Sequence, residues 1–357
     1  MTDDAYSPWK ALRHLDVLQA AREGRPAHPA HVQLILTNRC QHRCQFCSYR
    51  LPDYPCNERF EDRAEIEAGK AMEIVADCAA MGVGAIQFTG GGEPTLHPNF
   101  GAVATLARMR KIQYSVVTNG TMIEERGYTD TMARAAWVRV SLDAATPETY
   151  SSVRRVVPSQ YDRACSAVGA IGRRIRELGT ACVLGVGFVV TPQNYREAPL
   201  AASLAYELGA DNIRLSAQFS SEDERLYDGC YAEAVAACAE AEKQDRPGFR
   251  VYNRFGARLE DLRLKRPDYG PCGYQYLTTY IGADLGVYRC CVTAYNRRGF
   301  LGSLKNRSFS DLWLSPERVQ SMASFDAHDC PRCQFNSINR PLAVAISPDE
   351  PMHSAFV

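Results

Sequence analysis

Cys40, Cys44 and Cys47 form a C-x3-C-x2-C run directly after a short apolar stretch, Val32–Thr37. Three thiolates on one short loop can hold three irons of a 4Fe-4S cube and leave the fourth iron open, because cysteine thiolates are the usual cluster ligands. The competing chemistry is structural zinc, which takes four closed ligands. His42 lies inside the run as a candidate fourth ligand, although a tight loop is expected to point it outward. A second set follows late in the chain: Cys272, Cys290, Cys330 and Cys333, with Cys291 beside Cys290. Four thiolates from a turn, a hairpin and a Cys-Pro-Arg-Cys loop close either a zinc site or an iron–sulfur cluster. The remaining six of the fourteen cysteines (Cys56, Cys78, Cys165, Cys182, Cys230 and Cys238) are scattered and read as small buried hydrophobes.

The elements that must carry these residues alternate strand and helix. Strand-like runs occupy Val32–Thr37, Ala85–Thr89, Ile112–Thr118, Val138–Leu142, Val183–Val190 and Asn212–Ser216. Helical runs occupy Glu65–Met81, Phe100–Arg110, Glu124–Ala136, Tyr161–Leu178, Arg196–Leu208 and Tyr227–Lys243, three of them followed by glycine. Near-continuous apolar strands separated by helices indicate a parallel α/β sheet. Six strand–helix units are too few for a closed eight-fold barrel, leaving an open partial barrel or a doubly wound sheet. In either, function belongs at the carboxyl ends of the strands. The first cysteine run, Gly90–Gly91–Gly92–Glu93–Pro94, Thr118–Asn119–Gly120 and Ser141–Leu142–Asp143 all fall there.

Length and composition bound the rest. The 357 residues suit two domains or one large domain with an appendage. The expected division is an N-terminal extension over 1–30, a core over 31–245, a small cysteine-bearing domain over 246–340, and a Pro-containing tail over 341–357 that either wraps back or is mobile. Lys plus Arg and Asp plus Glu are 41 each, so no broad field draws the chain to nucleic acid or anionic membrane. The acidic start lacks an apolar signal region, and no apolar stretch would span a bilayer. A cytoplasmic location is expected, where clustered cysteines point to metal or redox chemistry rather than disulfides.

On Cys40–Gln41–His42–Arg43–Cys44–Gln45–Phe46–Cys47, with its aromatic residue before the last cysteine, the chain resembles the radical S-adenosylmethionine (SAM) superfamily. The resemblance implies a partial (β/α)6 TIM-like barrel and SAM bound to the open iron. It assigns Gly91, Gly92 and Glu93 to the motif that holds the SAM amino group, with an exposed backbone and carboxylate. It places Asn119, Ser141 and Asp143 at the strand ends that meet SAM. Arg154, with Arg155 as competitor, pairs with the SAM carboxylate, for which a planar guanidinium is suited. Phe46 and Leu215 flank the adenine, with core packing as the rival role. The later cysteines resemble the auxiliary-cluster domains called Twitch and SPASM. No cysteine follows Cys333, which favours the shorter Twitch form with one further 4Fe-4S cluster on Cys272, Cys290, Cys330 and Cys333. The usual Asp-Gly pair appears as Asp284–Leu285–Gly286, so Cys290 and Cys291 compete for one ligand position, and Cys290 keeps the hairpin register. Cys291 is then a buried thiol or a hydrogen-atom donor.

The implied chemistry is reductive cleavage of SAM to a 5′-deoxyadenosyl radical that takes hydrogen from a small polar substrate. A fully ligated second cluster suits electron acceptance, hence oxidation, with radical rearrangement beside it. The substrate classes are a sugar, aminocyclitol, amino-acid derivative or modified nucleotide, and the electron comes from a one-electron reductant such as flavodoxin or ferredoxin. Candidate catalytic or substrate-contacting residues are Cys291, Tyr274, Tyr276, Asn296, Arg297 and Arg298, with Arg50, Asp53 and Tyr54 at the mouth. Three other readings compete. A ribosomal peptide substrate is one, although the roughly 30 residues before the first strand are short for a leader-binding domain. Nucleobase modification is the second, opposed by the neutral charge. The third is a zinc-bearing scaffold without catalysis.

Overall fold

The structure, a computed structural model, describes residues 5–51, 58–219 and 223–347. Seven parallel strands follow one another in sequence order: β1 (His31–Leu34), β2 (Ala85–Phe88), β3 (Gln113–Thr118), β4 (Trp137–Ser141), β5 (Val183–Val190), β6 (Asn212–Ala217) and β7 (Arg250–Asn253). Three later strands continue the same sheet beyond β1: β8 (Thr278–Ile281), β9 (Gly286–Tyr288) and β10 (Phe300–Ser303). β8 runs parallel to β1, β9 is antiparallel to β8, and β10 is antiparallel to β9. The sheet does not close, as expected for a partial barrel. Two features exceed the six-unit expectation. β7 lies past residue 245 yet pairs with β6, and the cysteine-bearing part extends the core sheet instead of forming its own.

Helices α1 (Leu15–Arg22), α2 (Ala68–Met81), α3 (Phe100–Met109), α4 (Thr129–Ala133), α5 (Pro147–Arg154), α6 (Ser159–Leu178), α7 (Ala198–Glu207), α8 (Tyr231–Glu242) and α9 (Phe255–Arg263) accompany the strands. The main core forms where strand residues such as Val32, Leu34, Phe88, Val140, Val186 and Leu215 meet Ile74, Phe100, Val168 and Ala201 of the helices. Each fully buried Val, Leu, Ile or Phe side chain among them stabilises the fold by about 1.5–3 kcal/mol. The alternate strand positions carry Gln33, Gln87, Arg139 and Arg214, so the opposite, concave face is polar.

α4 is much shorter than the expected Glu124–Ala136, because a left-handed turn at Gly127 interrupts the run. α5 has no counterpart among the helical runs expected from the sequence; Thr146 caps it by accepting from Thr149 N and Pro147 opens its first turn. The expected tail is helical up to Ile346: Asn336–Ile346 continues through Pro341 and packs Leu342 and Ile346 against Val17 and Leu18 of α1. In the hairpin between β8 and β9, Leu285 takes the left-handed conformation one place before the glycine. Among the described residues no helix is long and apolar enough to cross a membrane.

Candidate functional site

The loop after β1 is seated from three sides. Cys47 N donates to Cys44 O at 3.1 Å, turning the run tightly, while Arg43 N and Gln45 N donate to Arg154 O and Val153 O at 3.1 and 2.9 Å. Those carbonyls are the open end of α5, so the loop satisfies groups that a helix terminus leaves unpaired. Before the cysteines, Asn38 and Arg39 abut Gly91 and Gly92. A Cβ on Gly91 would stand 2.0 Å from Asn38 Oδ1, and one on Gly92 2.2 Å from Arg39 O. The glycines are thus required by the neighbouring protein chain, where the expectation was approach to a ligand.

Glu93, expected to be exposed, is buried. Its Oε1 accepts from Thr95 N, Thr95 Oγ1 and Thr118 Oγ1, and its Oε2 accepts from Asn119 N at 2.7 Å. The carboxylate ties the end of β2 to the end of β3, and burial pushes its pKa up against these hydrogen bonds. Asn119 Oδ1 accepts from Thr121 and from Gln41 Nε2 at 3.2 Å. Asn119 Nδ2 and Gln41 Oε1 are buried and have no partner among the described residues. Gln41 joins the first loop to β3, a role that the cysteine motif did not single out.

Asp143 and Arg154, expected to contact SAM, form a buried ion pair. Asp143 Oδ1 also accepts from Val189 N at 2.6 Å. Arg154 donates to the carbonyls of Ser141 and Leu142, to His42 Nδ1 at 3.2 Å and to Cys44 Sγ at 3.8 Å. The competitor Arg155 is exposed. His42 is buried rather than pointing outward, its ring set edge-on to Tyr150. Burial, with Arg154 beside it, pushes the imidazole pKa down to about 3. Ser141 ends β4 on the concave side and Phe46 is half-buried in the loop. Leu215 is fully buried in the main core, so its side chain serves packing, the rival role weighed above.

The three thiols of the loop each receive an N–H: Cys40 from His42 N at 3.4 Å, Cys44 from Arg154, and Cys47 from Arg50 Nη1 at 3.7 Å. Arg50 is fixed by Asn38 O, Gly91 O and Asp62. Burial pushes the Cys40 thiol up to about 11 and the Cys44 thiol up to about 12. Such groups become thiolates when a cation is bound to them. Three convergent thiols ringed by N–H donors, with unpartnered amide atoms beside them, fit an iron–sulfur cluster and a polar ligand. Among the described residues no three His, Cys, Asp or Glu side chains are arranged to hold a single metal ion.

In the C-terminal part, Cys272, Cys290, Cys330 and Cys333 line one cavity, together with Tyr269 and Tyr274. Cys333 Sγ accepts from Tyr269 OH at 3.5 Å and from Phe335 N at 3.3 Å. Four thiols around one enclosed space suit a fully ligated cluster. Cys291 does not line that cavity. Its Sγ accepts from Gln334 Nε2 at 3.1 Å, and it packs beside Tyr49, Tyr280 and Tyr295. This aromatic group connects the two cysteine sets. Tyr49 follows Cys47 by two residues and receives Tyr280 OH at 3.2 Å, while Tyr295 OH donates to Asn38 Oδ1 at 2.7 Å. Tyr274 stacks on Phe335 at 4.0 Å, and burial holds its phenol well above the ordinary range, which disfavours it as a base. Tyr276 packs at the edge of the core, Asn296 Oδ1 caps Arg298 N, and Arg297 and Arg298 are exposed. Asp53 and Tyr54 lie outside the described residues.

Residues 34–198 match the model of the Radical SAM superfamily. The chain is 26% identical over 308 residues to a tungsten-containing aldehyde ferredoxin oxidoreductase cofactor-modifying protein of Pyrococcus furiosus, covering 80% of this chain and 81% of that protein. It is 25% identical over 195 residues to the PqqA peptide cyclase of Gluconobacter oxydans, covering 54% of this chain and 50% of the cyclase. Its fold is similar to that of Streptococcus suis SuiB bound to the precursor peptide SuiA, with a TM-score of 0.63, 15% identity, and coverage of 91% of this chain and 74% of SuiB.

Proposed function

We propose that this chain, a radical SAM enzyme with a SPASM/Twitch-type C-terminal part, oxidises or rearranges a small polar molecule. Cys40, Cys44 and Cys47 would hold the SAM-binding 4Fe-4S cluster, and Cys272, Cys290, Cys330 and Cys333 a second one. When bound, the two clusters and SAM supply a 5′-deoxyadenosyl radical for hydrogen abstraction and an acceptor for one electron.

The chain's own residues do the positioning. Glu93 fixes the strand ends around Asn119, leaving the Asn119 amide N–H as a donor toward a bound ligand. Arg50 and Arg154 point N–H groups at Cys47 and Cys44, which stabilises negative charge on those sulfurs. The aromatic group of Tyr49, Tyr280 and Tyr295 keeps water from the region between the two cysteine sets. The observation that most supports oxidation is the single cavity lined by four cysteines, because complete thiolate ligation leaves no open iron for substrate.

The likeness to a peptide cyclase supports a second reading, the same chemistry on a peptide. Anaerobic reconstitution followed by a one-electron reductant, such as flavodoxin, and SAM tests the reading. About eight irons per chain and release of 5′-deoxyadenosine are expected. Bound zinc without iron, and no SAM cleavage, would identify a zinc scaffold instead.

A further inference from the structure

The concave face of the sheet holds two arginines without carboxylate partners among the described residues. Arg139 of β4 and Arg214 of β6 project to the same side, one on either side of Gly187 of β5. Gly187 pairs with Arg214, and a Cβ placed on it would stand 3.1 Å from Arg139 Cδ, so the missing side chain lets the arginines share this space. A guanidinium carries five N–H donors. The Arg214 side chain makes no hydrogen bond within the described residues, and its Nε is buried without a partner there. Arg139 donates once, from Nη2 to Tyr6 OH at 2.9 Å. The aromatic rings of Tyr6 and Trp137 face these cations, with guanidinium carbons 5.2–5.9 Å from the ring centres, and leave their charge in place.

Asp143 is the carboxylate that acts on Arg214, and it is already committed to Arg154. Among the described residues, three arginines therefore face one carboxylate. Burying like charges without counter-charge is costly, so the arrangement has no stabilising role of its own. Burial and the neighbouring Arg214 push the Arg139 guanidinium down to about 10.

We infer that Arg139 and Arg214 form an oxyanion subsite that takes a carboxylate or phosphate group of the substrate. This rests on the proposed small-molecule reading and narrows it to anionic substrates. Two guanidinium forks suit an oxyanion because each can present parallel N–H donors to it.

The test is binding of inorganic phosphate and of acetate to the reconstituted, SAM-loaded protein, followed by thermal denaturation at constant ionic strength. One of the two anions is expected to raise the midpoint saturably, and the responding anion identifies the group. Arg214→Gln should weaken that apparent affinity about tenfold, the loss of one charged hydrogen-bonding group. Arg214→Lys should recover part of it, and Gly187→Val should abolish it by separating the arginines. Arg110→Gln, an exposed charge on another face, should leave it unchanged. No saturable shift with either anion, an equal shift in Arg214→Gln, or a shift seen only in protein not loaded with SAM would overturn the subsite. Failure of the wild-type protein to release 5′-deoxyadenosine would overturn the radical reading instead, and anion binding is read independently of it.

Discussion

Arg154 Nη1 lies 3.8 Å from Cys44 Sγ while the same guanidinium is paired to buried Asp143. One side chain thus fixes the end of β4, the end of α5 and the cysteine loop. Removing it strands Asp143, and breaking such a buried pair costs about 3–5 kcal/mol. Arg154→Leu is expected to lower stability by that amount in chemical denaturation. Arg154→Lys should restore much of the stability but not the hydrogen bond to Cys44. In folded Arg154→Lys, the first cluster should be harder to reduce, read as a lower midpoint potential by electron paramagnetic resonance.

Cys290 and Cys291 are neighbours with different surroundings. Cys290→Ser should cost the second cluster, removing about half of the iron that two four-iron clusters hold. Cys291→Ser should keep the iron, since its thiol faces Gln334 and the tyrosine group. Iron analysis of the two variants separates the positions.

Gly92→Ala would press a methyl group onto Arg39 O, where only 2.2 Å is open. The loop has to move, and with it the seat of Cys40. Loss of the first cluster is expected, with a destabilisation of about 1–3 kcal/mol from overpacking. Spectroscopy for iron content and a denaturation curve measure both.

His31 of β1 sits 3.3 Å from Thr278 Oγ1 of β8, and burial pushes its pKa down to about 4. Above pH 6.5 the imidazole is neutral in both folded and unfolded chains, so it adds no pH dependence. Below that, the unfolded chain takes the proton first, and stability falls until the pH reaches about 4. The loss is on the order of 3 kcal/mol, and His31→Gln should flatten that part of the stability profile.

Much of this was legible in the residues. Strands that alternate with glycine-terminated helices, and cysteines at fixed spacing, report local rules, and β5 matches its expected bounds. The partners of Glu93, Asp143 and Arg154 were not legible. A charged residue near a motif reads the same whether it meets a ligand or another side chain, and only folding brings Asp143 to Arg154. Leu215 follows the same logic, since a strand residue's face depends on register. The pairing of β8 with β1 joins segments more than 240 residues apart, a separation that no periodicity reveals.

That pairing has a consequence for biosynthesis. During translation β1 is an uncovered edge, and the Asn38 turn before the cysteines lacks its Tyr295 neighbour until the last quarter of the chain emerges from the ribosome. The support that β8 and Tyr295 give the cysteine loop therefore arrives only with the C-terminal part, and chains truncated before β8 are expected to take up less iron on reconstitution.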